Sequence, residues 1–341
     1  MACAYLIRSR PLRPLEQRPA RRARQRRGWH GVTTPPASPP LTLSRLASTI
    51  VGVALALVAG GFVVRTLVRD RRQLGDALSA ASPGWIFLAV VLAVVGMTAI
   101  AIPWRYAVRA VGEDLPLSQV IARYYLGEIG KYVPGGVWSI LGRAELATRW
   151  GIPRPAAYGS VLLSLVTLYL AAMTLVVMAL PALWGSEDTA ALVVVALLPV
   201  GLGALHPAVL QRAKALVERV TRHPVDFVIP AWGTSVSLVF RYVPAWAAIG
   251  GATWAVARAL DPQAPLLPVA AAAVLSWVIG FVLVPVPGGL GVREAVFVAA
   301  AGSLDPGVAA AVALAARLVF VLVDAVGAVI GALALRRSAV H

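Results

Sequence analysis

The sequence predicts an all-α polytopic membrane protein of two inverted repeats, with about six transmembrane helices and two re-entrant Pro-Gly-Gly hairpins. Three observations predict it. Hydrophobic residues make up 59% of the 341 positions and charged residues 13%, with a mean hydropathy of +0.78, and no globular interior absorbs so much apolar surface. Val-Pro-Gly-Gly occurs twice, at 133–136 and 286–289, which sets Pro134 and Pro287 153 residues apart. The same offset maps Pro153 onto Pro306 and residues 156–170 onto 309–323. Proline removes an N–H and clashes with the preceding turn, and paired glycines weaken a helix further, so each motif breaks a helix inside apolar sequence. Unsatisfied backbone in lipid is costly, and a break survives only where protein or a water-filled cavity shelters it. Two breaks in corresponding halves are the pattern of an inverted-repeat transporter with a site near the membrane midplane.

Residues 1–45 hold ten arginines against Glu16, which is +9 of the formal +16, and Pro35, Pro36, Pro39 and Pro40 precede the first apolar run. They read as a disordered basic cytoplasmic arm, and positive-inside bias explains their charge with fewer assumptions than nucleic-acid binding. Residues 46–64 read as the first span, a retained signal anchor, because the apolar run starts late and is too long for the core of a cleaved signal peptide. The second span is 85–107, with Trp85, Trp104 and Tyr106 suited to the interfaces. Segments 117–131 and 137–150 flank the first Pro-Gly-Gly. Each is too short and too polar to cross alone, so together they read as a re-entrant hairpin.

Residues 156–180 and 189–205 follow as third and fourth spans, and the loop between them carries Glu187 and Asp188 without a cation. The connection 207–230, with Arg212, Lys214, Arg219 and Arg222, reads as cytoplasmic. Residues 232–257 are the fifth span, 266–284 and 291–302 flank the second break, and 308–335 are the sixth. The flippase-like region is therefore 46–337, with repeat one at about 46–182 and repeat two at about 189–337, each reading span, span, hairpin, span. Three crossings per half invert the second copy and put both termini on the cytoplasmic side of the inner membrane. Only Arg69, Arg71 and Arg72, on the outer side by this count, run against the charge rule.

Catalytic patterns are absent: the chain has no Walker loop, no Gly-x-Ser-x-Gly elbow and no His-Glu-x-x-His. Cys3 is the only cysteine, and His30, His206, His223 and His341 lack ligand spacing. The expectation is a non-enzyme with no cofactor and no metal. A half-helix that starts at a break offers free N–H groups and the positive end of its dipole to an anion such as phosphate. The candidate substrate-binding residues are the break residues Pro134, Gly135, Gly136, Pro287, Gly288 and Gly289, where glycine lets backbone approach a ligand. Lys131, Arg143 and Arg293 would neutralise a phosphodiester beside Glu294, with the arginines offering bidentate forks. Arg241, Arg317 and Asp324 are charges inside predicted spans, where a charge faces a cavity or a partner. Arg317 and Asp324 share a helix face but stand two turns, about 10 Å, apart, so each is expected to meet a hairpin residue. Snorkelling, or pairing with Glu128, Glu145 and Glu294, is the other reading of the hairpin cations. Tyr124, Tyr125, Tyr132 and Trp138 read first as interfacial anchors and second as a stacking surface for substrate.

The runs Gly130-Lys131-Tyr132-Val133-Pro134-Gly135-Gly136-Val137-Trp138, then Arg143, and Pro287-Gly288-Gly289-Leu290-Gly291-Val292-Arg293-Glu294-Ala295 carry a resemblance. Over about 46–337 the chain resembles the flippase-like transmembrane family of lysylphosphatidylglycerol synthases. Two-domain members append a cytosolic aminoacyltransferase to a membrane part to which movement of the charged lipid to the outer leaflet is ascribed. A chain ending at His341 without that domain implies a stand-alone member that translocates without aminoacylating. The family pattern places Glu early in the span after the first hairpin, where this chain has Ser164 or its neighbours. The expected partners are membrane lipids, as an anionic or aminoacylated phospholipid or a polyprenyl-phosphate-linked substrate, with a homo-oligomer or a separate synthase as protein partner. The alternative function is a non-catalytic membrane partner or an enzyme in lipid or polyprenyl-linked glycan modification.

Overall fold

Pro83 opens α1 (Pro83–Ala110), at a position where its missing N–H forfeits no intrahelical bond. The computed structural model describes residues 81–133, 137–183, 189–222, 224, 226, 228–282 and 291–337, and every regular element among them is helical. The basic arm, the predicted first span and both Pro-Gly-Gly motifs lie outside these residues. At the end of α1, Arg109 donates to both carboxylate oxygens of Asp114, at 2.9 and 3.1 Å, and so fixes the turn into the next helix. The same guanidinium holds the Asp114 carboxyl below the usual carboxylate range.

Helix α2 (Leu117–Glu128) runs into a single 3-10 turn, Ile129–Tyr132, and α3 (Trp138–Thr148) returns against it. The two approach closely because glycine faces glycine: a Cβ on Gly142 would stand 3.7 Å from the Gly127 Cα. Next come α4 (Arg154–Leu183), α5 (Thr189–Ala204), α6 (Pro207–Thr221) and α7 (Trp232–Leu260). The second hairpin is α8 (Leu266–Val282) against α9 (Val292–Ala300), followed by α10 (Pro306–Arg337).

The most extensive helix contact is α1 against α7. They run antiparallel: the Ser82 N–H donates to the Ala259 carbonyl at 3.1 Å, Trp85 meets Trp254 edge-on, and at the other end Arg241 lies over Tyr106. Small side chains permit the approach, since a Cβ on Gly96 would come 2.9 Å from the Ile249 side chain. Helix α4 packs on both, α8 packs on α4 and α7, and α10 lies along α2, α7 and α1. Several buried polar groups in this core are paired across helices: Trp104 donates to the Ser160 hydroxyl at 3.3 Å, Trp246 to the Leu168 carbonyl at 2.7 Å, and Ser164 bonds Tyr242 at 2.6 Å.

Among the described residues α1, α4 and α10 are long and apolar enough to cross a membrane, and α5 with α6, bent by 69°, would be a fourth. Helix α7 has 29 residues, ample length for a span. It is not among those helices, because Arg241, Arg258 and a polar inner face with Ser235, Tyr242 and Thr253 lower its apolar content. One further expectation is corrected. Trp104 is fully buried, its indole N–H spent on Ser160, so it marks no interface. The basic connection 207–230 is helical over most of its length: Pro207 starts α6, the His206 Nδ1 accepts the Ala208 N–H at 3.3 Å, and Lys214 faces Glu218 one turn on. Its apolar side, with Val209, Leu210 and Val217, lines a groove of about 630 Å³ against α4.

Candidate functional site

The 3-10 turn that ends α2 aims Lys131 into the protein. Its Nζ donates to the Asp324 Oδ2 at 2.6 Å and to the Glu128 Oε2 at 3.3 Å. The Tyr132 hydroxyl donates to the same Asp324 Oδ2, also at 2.6 Å. Asp324 is fully buried, and its Oδ1 has no partner among the described residues. Seven residues earlier on α10, Arg317 pairs with Glu294 of α9. The two intramembrane charges of α10 thus reach different hairpins, Asp324 the first and Arg317 the second.

Arg143 and Arg293 are seated differently. The Arg293 guanidinium lies 3.6 Å from the centroid of the Trp277 ring, and the Lys131 Nζ lies 5.5 Å from the same ring. One indole therefore serves a cation from each hairpin. Its edges are held by Trp246 and Phe320, at centroid distances of 6.1 and 5.1 Å. Arg143 lies over Tyr124 at 5.5 Å and Trp104 at 6.0 Å. Each arginine stem fits against a glycine: a Cβ on Gly127 would stand 2.5 Å from the Arg143 Cγ, and a Cβ on Gly280 would overlap the Arg293 stem. The aromatic seats Tyr124 and Trp277 are 153 residues apart, and so are the glycines Gly127 and Gly280.

Neither Arg143 nor Arg293 has a carboxylate partner among the described residues, whereas Lys131 and Arg317 do. Arg143 is only 3% exposed and its Nε lacks an acceptor. Between the seats stands Tyr169 of α4, stacked on Phe281 and within electrostatic reach of Glu128, Arg143 and Arg293. A cavity of about 30 Å³ touches Trp277, Arg293, Glu294 and Arg317, room for water but not for a lipid head group. The larger cavity between α1, α2 and α10, about 490 Å³, has no charged residue in its walls. It suits hydrocarbon and not the chemistry of these charges.

The structure thus brings Lys131, Arg143, Arg293, Glu294, Arg317 and Asp324 around two hairpins, and it leaves other candidates aside. Pro134, Gly135, Gly136, Pro287, Gly288 and Gly289 lie outside the described residues. Glu145 does not pair with Arg143: it accepts the Tyr158 hydroxyl at 2.8 Å and meets Arg154 at 3.4 Å. Arg241 is exposed and stacks on Tyr106, away from both hairpins' charges. Tyr124, Tyr125 and Tyr132 are buried and so are not interfacial anchors, while Trp138 is partly exposed. Sequence reasoning missed Trp277, which the offset of 153 from Tyr124 signals. It also missed Arg123, which clamps α2 to α3 by donating to the Leu146 carbonyl at 3.0 Å while stacking on Trp150. Among the described residues no three His, Cys, Asp or Glu side chains gather as metal ligands.

The family model for the lysylphosphatidylglycerol synthase TM region matches residues 49–331, a stretch that holds both hairpins, both arginine seats and Asp324. The chain belongs to this family. Like the family region itself, it is an integral membrane protein with several apolar helices, and the matched stretch begins after the arginine-rich arm. No curated protein matches the chain.

Proposed function

We propose that this family member moves a lipid, or a lipid-linked anionic substrate, between leaflets by passing its phosphodiester between the two hairpins. The observation that carries this reading is the pair of arginines, Arg143 and Arg293. Each is stacked on an aromatic face and seated on a glycine, and neither has a carboxylate partner among the described residues. A guanidinium held on a ring keeps its donor edge for a planar or tetrahedral anion, and fixing it in advance removes rotamer entropy from binding. Lys131, shared between Glu128 and Asp324, is a third cation that a phosphate could recruit.

The inverted repeat belongs to the same proposal. Helices α1 and α7 occupy corresponding places before the hairpins and pack antiparallel, as a two-fold axis in the membrane plane requires. The order long helix, hairpin, long helix recurs, with α4 and α10 starting at Arg154 and Pro306. In this reading both hairpins are re-entrant, one from each side, both termini face the cytoplasm, and the protein sits in the inner membrane. The small cavity at Arg293 corresponds to an occluded state, so the hairpins must part before a head group enters. Phosphatidylglycerol and a polyprenyl-phosphate sugar share the phosphodiester that the arginines would read.

The test is reconstitution of the full chain in liposomes carrying head-group-labelled phosphatidylglycerol or a labelled polyprenyl-phosphate sugar, with an impermeant quencher outside. Wild type is expected to expose one of the two labels to the quencher. Arg143→Ala and Arg293→Ala are each expected to slow this about 10- to 100-fold, the equivalent of one charge-assisted contact, without reducing membrane insertion. Unchanged rates in both variants overturn the reading.

A further inference from the structure

We infer that anion binding in this site is coupled to uptake of a proton by Asp324, which makes the proposed translocation a proton-linked process. The inference rests on the phosphodiester reading above. One ammonium, Lys131, faces two carboxylates, Glu128 at 3.3 Å and Asp324 at 2.6 Å. Asp324 is fully buried, so Lys131 is its counter-ion, and among the described residues the other group donating to it is the neutral Tyr132 hydroxyl. Its Oδ1 has no partner among the described residues, which leaves an oxygen where a proton can sit without displacing Tyr132.

Among the described residues the surroundings offer no substitute cation. Tyr124, Tyr125 and Tyr132 of the first hairpin face Asp324 and are uncharged near neutral pH. From α9 the nearby cation is Arg293, which is committed to the Trp277 ring, and on α10 itself Arg317 is committed to Glu294. Helices α1 and α7 also pack on α10, yet among the described residues they place no charged side chain in an ion pair with it.

Lys131 also reaches toward Trp277, the ring on which Arg293 lies, so it borders both the acidic pair and the arginine seat. An anion arriving at Arg293 draws the ammonium away from Asp324. A buried carboxylate stripped of its counter-ion is too costly to remain charged, and it takes a proton from water instead. The balance is simple: Lys131 stays protonated and turns to the phosphodiester, and one proton from solvent neutralises Asp324. Release of the anion reverses both events. A phosphodiester carries no titrating group near neutral pH, so any proton taken up on binding belongs to the protein.

The test is calorimetric titration of the purified full chain near neutral pH with two probes, dioctanoyl phosphatidylglycerol and a short-chain prenyl-phosphate sugar. Each titration is repeated in buffers of different ionisation enthalpy. Wild type is expected to take up about one proton per bound probe, read from the slope of observed heat against buffer enthalpy. Asp324→Asn is expected to bind with no such slope, and Glu128→Gln to keep it. Wild-type binding with no buffer dependence overturns the coupling, whatever the variants do, and leaves the phosphodiester reading standing. A slope that survives in Asp324→Asn and vanishes in Glu128→Gln overturns the assignment to Asp324. Absence of binding to either probe by wild type overturns the phosphodiester reading and the coupling together.

Discussion

Replacing Lys131 with methionine removes a charge while keeping an apolar stem of similar reach, so it isolates what the ammonium does for Asp324. Two short bonds converge on one carboxylate oxygen, from Lys131 and Tyr132, each at 2.6 Å, inside a protein where Asp324 has no exposed surface. Lys131→Met deletes the charged bond and leaves a buried acid on a single phenol. Removing one partner of a buried ion pair costs about 3–5 kcal/mol, mostly because the remaining charge is uncompensated. Asp324→Leu strands the ammonium less severely, since Glu128 still accepts from it at 3.3 Å, and about 2–3 kcal/mol is expected. The double variant Lys131→Met, Asp324→Leu replaces both charges with apolar groups and is expected to lose only about 1–2 kcal/mol relative to wild type. The coupling energy between the positions is then at least about 3 kcal/mol. Reversible unfolding of the four proteins in mixed micelles, followed by circular dichroism, measures each corner of the cycle. A double variant that loses the sum of the single losses would refute the reasoning, and so would a Lys131→Met loss below about 1 kcal/mol, the range of solvated pairs.

Tyr132→Phe removes one bond to a charged acceptor and is expected to cost about 1.5–3 kcal/mol in the same unfolding assay, with Lys131 still in place. Gly127→Val puts side-chain atoms where the Arg143 stem now lies, since even a Cβ there would stand 2.5 Å from the Arg143 Cγ. A loss of about 1–3 kcal/mol is expected, together with the transport defect of Arg143→Ala, whereas normal transport would separate the glycine from the arginine seat. At Gly331 a Cβ would fall 2.7 Å from the Ala122 carbonyl oxygen, so Gly331→Leu must push α10 off α2. Its melting temperature in detergent is expected to fall by several degrees, and an unchanged value would mean that the two helices tolerate separation.

Much of the helix layout is written in composition and period. The long apolar runs became α1, α4 and α10 because a long stretch dominated by apolar residues has few other stable states in lipid. Segments 117–131 and 137–150 were too short to cross and became α2, its 3-10 turn and α3, packed against each other. The basic stretch 207–230 was read only for the side of the membrane it faces, while its helix signals, Pro207 after His206 and Lys214 four residues before Glu218, went unweighed. The tyrosines of the first hairpin were misread: an amphipathic ring suits an interface, but it also suits a buried site where its hydroxyl finds an acceptor, as Tyr132 finds Asp324.

By itself the sequence determined which residues are costly to bury: Lys131, Arg143, Arg293, Arg317 and Asp324 stand out because charge in apolar sequence demands a partner or a cavity. It also determined the shared spacing of 153 residues from Tyr124 to Trp277 and from Gly127 to Gly280. Only the tertiary structure decided how the charges divide. Pairing depends on distances between helices that are far apart in the chain, such as the 2.6 Å from Lys131 to Asp324 across 193 positions. No local period encodes such a distance. It follows from how closely glycine lets α2 approach α10, and from which aromatic ring each arginine reaches first. That packing leaves two cations paired and two on aromatic faces, and it is the division on which the proposed chemistry rests.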